Sequence, residues 1–474
     1  MKRTSWIAGL FVVGCFSVGY AQFPEDALRF STSGLGTGAR ALGMGNAYTG
    51  VASDFSALFW NPAGLAQIQH GEFSFGLSHL NFKDNSTFFN ANESYTNNAT
   101  KLNSLGLVFP LPVRRGSAVL AFGYNRQSDF TTGVSFQGFN PNSSIIQTFA
   151  RDGEFYPSDL SGNLAYQLYL ADIDTNTGRF ISPIMNRVTQ IGRVLEGGGL
   201  NNWSIGGAID IGRNVSVGLA LTYISGTYTY ERTFTEQDNN GIYTALPYDF
   251  DQLTLEDNVE SDLSGVNAKF GFMYRVPERF RFGVSIKTPT TFRVKETFNT
   301  IARSYFDNGD VLPTDGPFET PGSGEYDVVT PWVFSVGTSF IIRDLVLSGD
   351  IEYTDWIQLQ FENANSDLIA LNKDIKEIFR GTANLRAGVE YDLQDVRLRG
   401  GFIYNTSPYQ NDPSSFDQKY ITAGLGVPLG GSTMLDIAYA RGWWETFRTN
   451  YDRSSRVNEK VTANNFLMTF SYRF

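Results

Sequence analysis

The chain has 474 residues, a formal charge of −11 and 15% aromatic residues, with 39 Phe and 23 Tyr among them. That length suits two or three soluble domains or one large barrel, and the acidity excludes a nucleic-acid binder of the usual basic kind. One cysteine and two histidines leave little material for disulfides, zinc sites or histidine-based catalysis.

The N-terminus reads as an export signal. Lys2 and Arg3 are followed by an apolar run over residues 6–18 and by Gly19-Tyr20-Ala21, a small-x-small cleavage site. Residues 1–21 are expected to be removed, so that Gln22 begins the mature chain. A rival reading takes Val12-Val13-Gly14-Cys15 as a lipoprotein box, but the apolar run continues past Cys15. The mature chain then has no thiol, and its charge becomes more negative by the loss of Lys2 and Arg3.

Residues 22–69 are apolar and glycine-rich, too apolar for a disordered tail. The spacing of Gly34, Gly36, Gly38, Gly43 and Gly45 does not give the dinucleotide fingerprint, and no βαβ pattern surrounds it. Ser53-Asp54 is placed to cap a short helix through Phe59, which Pro62 helps to stop. A segment of this kind is expected to fold inside a larger shell, where glycines admit close backbone packing.

From Glu72 onward the pattern has period two. "SAVLAFGYN" sets Ala118, Leu120, Phe122 and Tyr124 on one face, and "NVSVGLALTY" groups Val215, Val217, Leu219, Leu221 and Tyr223. In "RFRFGVSI", Phe280, Phe282, Val284 and Ile286 oppose Arg279, Arg281, Gly283 and Ser285. Short turn-like links fall at residues 110–116, 212–214, 276–278, 342–344, 392–395 and 428–431. Longer polar segments fall at 84–100, 126–201, 233–261, 289–327, 362–380, 407–418 and 445–460. Thirteen connections imply about 14 strands, and alternating short and long connections is the topology of an outer-membrane barrel. The non-lipid side carries Asp350, Glu352, Arg386, Glu390, Arg397, Arg399 and Arg473, charges that a wet lumen accepts and a dry sandwich core does not. The final strand, "NNFLMTFSYRF", ends on Phe474, a pattern that resembles the signal read by barrel-assembly machinery. The predicted fold is therefore all-β: a barrel over residues 70–474 with a small N-terminal hatch, residues 22–69, inside the lumen.

The stretch "GARALGMGNAYTGVASDFSALFWNPAGLAQ", residues 38–67, resembles the N-terminal signature of the FadL-type outer-membrane transporters of long-chain fatty acids and other hydrophobic compounds. Asn61-Pro62-Ala63, followed by Gly64, is its most specific part. "TPWVFSVGTSF", "LSGDIEYTDWIQLQF" and "LRAGVEYDLQDVRLRGGFIYNTSPY" extend the resemblance over nearly the whole mature chain. The resemblance implies a monomeric 14-stranded barrel with a plugging hatch. It also implies apolar loops that capture ligand, a lumenal pocket, and lateral exit beside an inward kink of the third strand. Here that strand is residues 117–127, with Gly123 and Asn125 as candidate kink positions. The expected partners are a hydrophobic small molecule or lipid, the lipids of the outer membrane and the assembly machinery, with no cofactor, metal or catalytic group. A more distant resemblance, to PorV-like barrels of type IX secretion, implies instead a protein cargo docking on the loop 126–201. Haemin uptake is a third reading, with few axial ligands to offer.

Candidate ligand contacts are of two kinds. Arg386, Arg397 and Arg399 are expected to face the lumen, where guanidinium forks match a carboxylate; the competing reading is a cross-strand charge ladder with Asp350, Glu352 and Glu390. Phe88 and Phe89, with Phe149, Phe155, Tyr156, Tyr166 and Tyr169, are candidates for an entry groove or for packing within the loops. Trp332, Tyr353, Trp443 and Trp444 are read as membrane-girdle aromatics.

Overall fold

The computed structural model describes residues 24–150, 162–174, 176, 179–245 and 249–474. The expected leader, Gln22, Phe155 and Tyr156 lie outside the described residues. Among the described residues, fourteen antiparallel strands close into a barrel. They are β1 (Glu72–Phe88), β2 (Ala91–Leu111), β3 (Ala118–Asp129, continued by Thr132–Asn140), β4 (Val188–Gly212) and β5 (Val215–Gln237). Next come β6 (Phe250–Val276), β7 (Phe280–Lys287, continued by Thr291–Phe306), β8 (Phe318–Val329, continued by Val333–Ile342), β9 (Leu345–Asp355) and β10 (Gly381–Asp392). The last four are β11 (Arg397–Asn405), β12 (Gln418–Gly430), β13 (Thr433–Thr449) and β14 (Arg456–Arg473). β14 returns to β1 in register from Glu72↔Arg473 to Thr87↔Asn458, so the sheet has no free edge there.

The outward face is apolar, as lipid requires. Leu120, Phe122, Trp203, Ile205, Leu219, Leu221 and Tyr223 are all exposed, while their strand neighbours Val119, Ala121, Ala208 and Ala220 are buried against the interior. All six short turns fall where the turn residues put them. The longer polar segments are different from the expected loops, because most of them are strand. β1 and β2 run on through residues 84–100 and meet at Phe89-Asn90, two residues with φ of 42° and 70° that form a tight hairpin. β6 is 27 residues long, against roughly 9–11 for a membrane crossing. Such extensions have water-facing polar residues on one side and polar or mixed residues on the other, so they carry no hydrophobic period to read.

The N-terminal segment lies in the lumen. It contains α1 (Pro24–Ser31), α2 (Ala39–Gly43), α3 (Ala57–Trp60) and a 3-10 turn (Pro62–Gln67). Asp54 Oδ1 accepts from the Ser56 N–H at 2.9 Å just before α3, and Pro62 opens the following 3-10 turn rather than ending all helical structure. Tyr48, Val51, Phe55, Leu58, Trp60 and Leu65 form this segment's core against Val108, Val119, Ala121, Ala208 and Ala220 of the wall.

The extracellular half is filled by the loops. Phe88, Phe136, Ile145, Ile146, Leu164, Phe234, Phe250 and Tyr451 make one apolar cluster that includes the short helix α4 (Leu164–Gln167). α5 (Ser366–Ile378), capped by Asn365 through the N–H groups of Asp367 and Leu368, sets Leu368 and Ile375 in a second cluster with Ala27 and Phe30 of α1.

Candidate functional site: the hatch, the wall and the cavity between them

Asn61 joins the hatch to itself and to the wall. It is fully buried. Its Nδ2 donates to Thr49 O at 2.9 Å and to Phe272 O of β6 at 3.1 Å, while its Oδ1 accepts from Ala63 N at 3.1 Å. Pro62 fixes the chain direction beside it, and Ser216 Oγ of β5 donates to Ala63 O at 3.1 Å. The Asn61-Pro62-Ala63-Gly64 stretch therefore sits backbone to backbone on β5 and β6.

Such close approach needs a wall without Cβ atoms, and the register supplies it. Gly218 pairs with Gly271, Gly283 with Gly337, and Gly388 with Gly401 across neighbouring strands. A Cβ on Gly271 would lie 2.3 Å from Asn61 Oδ1, one on Gly283 would lie 2.1 Å from Thr49 O, and one on Gly388 would lie 2.2 Å from Met44 O. Gly106 and Gly123 form another direct pair, and both make room for the ring of Phe55.

Charged wall residues hold the rest of the hatch. Asp350 Oδ2 of β9 accepts from the N–H groups of Tyr48 (2.8 Å) and Thr49 (2.7 Å). Glu72 accepts from Phe55 N at 2.9 Å. Arg40 of α2 forks onto Glu390 of β10 at 2.8 and 2.7 Å. Glu390 also accepts from Arg399 at 2.6 Å, and Arg399 donates to Asp436 of β13 at 2.6 Å. Two guanidiniums and two carboxylates thus neutralise one another where the hatch meets β10, β11 and β13.

This arrangement sorts the three candidate arginines. Arg399 has a fully buried side chain within that network, so it holds the hatch rather than a ligand. Arg397 pairs with Asp392 at 2.9 Å beside a short turn, away from the interior. Arg386 alone reaches the lumenal cavity; it pairs with Glu352 at 2.8 Å and lies 5.5 Å from the ring centre of Trp60. The charge-ladder reading fits both Arg399 and the Arg386–Glu352 pair, and Arg386 also borders the cavity.

β2 and β3 part company near the middle of the wall. They pair from Leu111↔Ala118 to Ser104↔Asn125, and beyond that β2 continues to Ala91 paired with β1. β3 bulges against β4 between Arg126 and Ser128, breaks at Phe130-Thr131, and continues as Thr132–Asn140 against β4. The continuation reaches back to the inner side of β1 and β2, where Ser135 Oγ meets Glu93 at 2.6 Å and Phe136 packs 5.0 Å from Phe88. Asp129 makes the break: its Oδ1 accepts from the N–H and hydroxyl of Thr131 at 3.0 and 2.6 Å, a turn that competes with the ladder. On β4, Gly197, Gly198 and Gly199 face it, and Gly198 O accepts from Arg126 at 2.7 Å. Gly123 therefore lies in the paired region and serves hatch packing, whereas Asn125 is the last paired residue at the rim of the gap. Hatch residues bridge that gap. Gly34 N donates to Gln127 O at 2.9 Å, and Asn103 of β2 bonds Gly36 O at 3.2 Å and Thr37 Oγ1 at 3.1 Å.

Between the hatch turns below and α1 and the loops above lies a cavity of about 290 Å³. Asn125 and Gln127 open onto it from the gap, Lys269, Lys287 and Arg386 from the wall, and Trp60, Trp356, Tyr409 and Trp444 add aromatic surface. Trp444 thus faces inward, near Tyr420 and Phe82, and is not a girdle residue, while Trp332, Tyr353 and Trp443 are exposed on the outside. Phe88 is buried in the extracellular cluster, with Phe89 packed on it at 4.6 Å, so these two rings close the cap and do not line an open groove.

The family described as outer membrane protein transport protein (OMPP1/FadL/TodX) matches residues 201–474. The chain belongs to this family. Solved structures of similar fold include a Pseudomonas aeruginosa FadL homologue, with 13% identity, a TM-score of 0.60, and coverage of 94% of this chain and 100% of the other. The Pseudomonas putida toluene transporter TodX has 13% identity, a TM-score of 0.55, and coverage of 93% and 99%. The Ralstonia pickettii toluene transporter TbuX has 15% identity, a TM-score of 0.51, and coverage of 93% and 98%. No curated protein matches the sequence. As a barrel of the OMPP1/FadL/TodX family, the chain resides in the outer membrane. The family match begins at residue 201, so it contains the wall residues Asp350, Glu390 and Arg399 that grip the hatch but not the hatch itself.

Proposed function

We propose that this barrel carries hydrophobic or amphipathic compounds, such as long-chain fatty acids, passively across the outer leaflet. Ligand is gathered by exposed loop side chains such as Tyr169, Ile181 and Met185, held in the lumenal cavity, and released sideways between β2 and β3 into the membrane. The observation that carries this reading is the continuity of cavity and gap: Asn125 and Gln127 belong to the cavity wall and to the stretch of β3 that leaves β2. Sideways release suits an apolar molecule, since each methylene kept out of water contributes roughly 0.8 kcal/mol.

The test is a reversible closure. The mature chain has no cysteine, so Asn103→Cys with Gln127→Cys allows one cross-link across the gap. Cross-linking should abolish fatty-acid uptake, reduction should restore it, and binding to the purified barrel should persist in both states. Uptake that continues through a verified cross-link removes the lateral route.

A further inference from the structure

The wall of the cavity is not greasy. Around it, adjacent strands present Asn125 and Gln127 (β3), Asn202 and Ser204 (β4), Thr222 (β5), and Asn267 and Lys269 (β6). The belt continues through Ser285 and Lys287 (β7), Ser335 (β8), Glu352 and Thr354 (β9), Thr382, Asn384 and Arg386 (β10), and Asn405 (β11). A pocket for a plain hydrocarbon is lined mainly by apolar side chains with few polar groups. Here nine consecutive strands contribute hydrogen-bonding groups at one level.

Several of these groups have no partner among the described residues. Asn202 is 6% exposed, and its Oδ1 meets no donor; the same holds for Asn405 Oδ1 and for Nε of Arg386. Others are satisfied within the belt: Ser204 and Thr222 share a hydrogen bond at 2.9 Å, and Asn267 donates to Thr290 at 2.8 Å. The belt's charges are unbalanced. Lys269, Lys287 and Arg386 face one carboxylate, Glu352, which Arg386 engages. Lys269 donates to Phe59 O, a neutral group. Of the other acids around the cavity, Asp412 accepts from the neutral Ser407 hydroxyl at 2.6 Å and keeps its charge, while Glu445 pairs with Lys460 at 3.4 Å, so the three cations outnumber the two remaining carboxylates by one. Beside these groups, Trp60, Trp356, Tyr409 and Trp444 offer apolar faces.

Buried amides without partners and surplus cations beside aromatic rings specify an occupant. It supplies one negative charge, hydroxyl groups that pair with the amides, and an apolar face for the rings. We infer that the cavity selects hydroxylated amphiphilic acids over their unhydroxylated counterparts. This rests on the lumenal-binding reading above and narrows it. A site with buried groups awaiting hydroxyls rejects the analogue that lacks them, because those groups are then left unpaired.

Palmitate and 9,10,16-trihydroxyhexadecanoate share chain length and carboxylate and differ only in three hydroxyls. Calorimetry on the detergent-purified full-length mature barrel should give at least tenfold tighter binding for the trihydroxy acid. Asn202→Ala with Asn405→Ala should erase that preference, and Lys287→Gln should weaken both acids together. Heat-modifiable gel mobility checks that each variant is folded. Equal or tighter binding of palmitate to the parent overturns this inference and leaves lumenal binding standing. If the folded parent binds neither acid, the lumenal reading falls, and the inference with it.

Discussion

One side chain, Asn61, satisfies three backbone groups that a buried turn would otherwise leave unpaired: Thr49 O, Phe272 O and Ala63 N. Each buried polar group stripped of its partner costs about 1–3 kcal/mol. Asn61→Ala should therefore loosen the hatch while sparing the barrel, whose strands do not depend on it. Amide exchange over residues 48–66 should rise at least tenfold, and the temperature at which the barrel loses its compact gel mobility should stay the same. Unchanged exchange would mean that the turn is held by packing alone. Asn61 was legible in the sequence because an Asn-Pro turn in an apolar stretch has few ways to satisfy its backbone. Arg399 was legible only in part. Period two assigns it a face, but its distance from the hatch depends on strand tilt and register, which a single strand does not encode. The paired wall glycines were harder still. Gly218 and Gly271, or Gly283 and Gly337, become a feature only once the register sets them side by side.

At the scale of elements, strands facing lipid were readable and strands facing water on both sides were not. β2 illustrates the limit: Leu105, Leu107 and Phe109 mark its membrane half, whereas Asn92, Ser94, Thr96 and Asn98 read as loop. The break in β3 had a local signal in Ser128-Asp129-Phe130-Thr131 and in the three glycines of β4, a more specific sign than Gly123. α1 carries a pH dependence. Glu25 lies among buried groups with no donor from another described residue to either side-chain oxygen. Burial, with a smaller contribution from Asp26, raises its pKa from 4.5 to about 7, against the lowering effect of its own backbone N–H and of Arg29. A carboxyl with a raised pKa favours the docked state while protonated. Docking of α1 is thus strongest below pH 4.5, weakens as pH rises through about 7, and then levels off. The full difference is on the order of 3 kcal/mol. Protease cutting within residues 24–37 should accelerate between pH 5 and 8 in the parent, and Glu25→Gln should flatten that profile at the slow, low-pH rate. A parent profile flat after correction for the protease's own pH dependence would show that Glu25 is solvated.

At the scale of the whole molecule, the lumen is closed twice, by the loop cluster and α5 on the outside and by the hatch beneath the cavity. A barrel of this strand number is wide enough to conduct water and ions when nothing fills it. The hatch occupies it through contacts with many strands, from Glu72 on β1 to Thr469 on β14, whose hydroxyl accepts from Ala39 N at 3.0 Å. Deleting residues 22–69, with residues 1–21 kept, removes one partner from each of these contacts. The barrel should survive the loss. Its closure rests on the β1–β14 ladder, and the exposed Asp350, Glu390, Arg399 and Asp436 would then be solvated in a wet lumen rather than stranded in a dry core. Heat-modifiable mobility should accordingly be retained. In planar bilayers the deletion should convert a nearly closed barrel into one with a large and steady conductance. A folded deletion variant as closed as the parent would place the seal in the extracellular cluster alone and leave the hatch as a ligand-shaping insert.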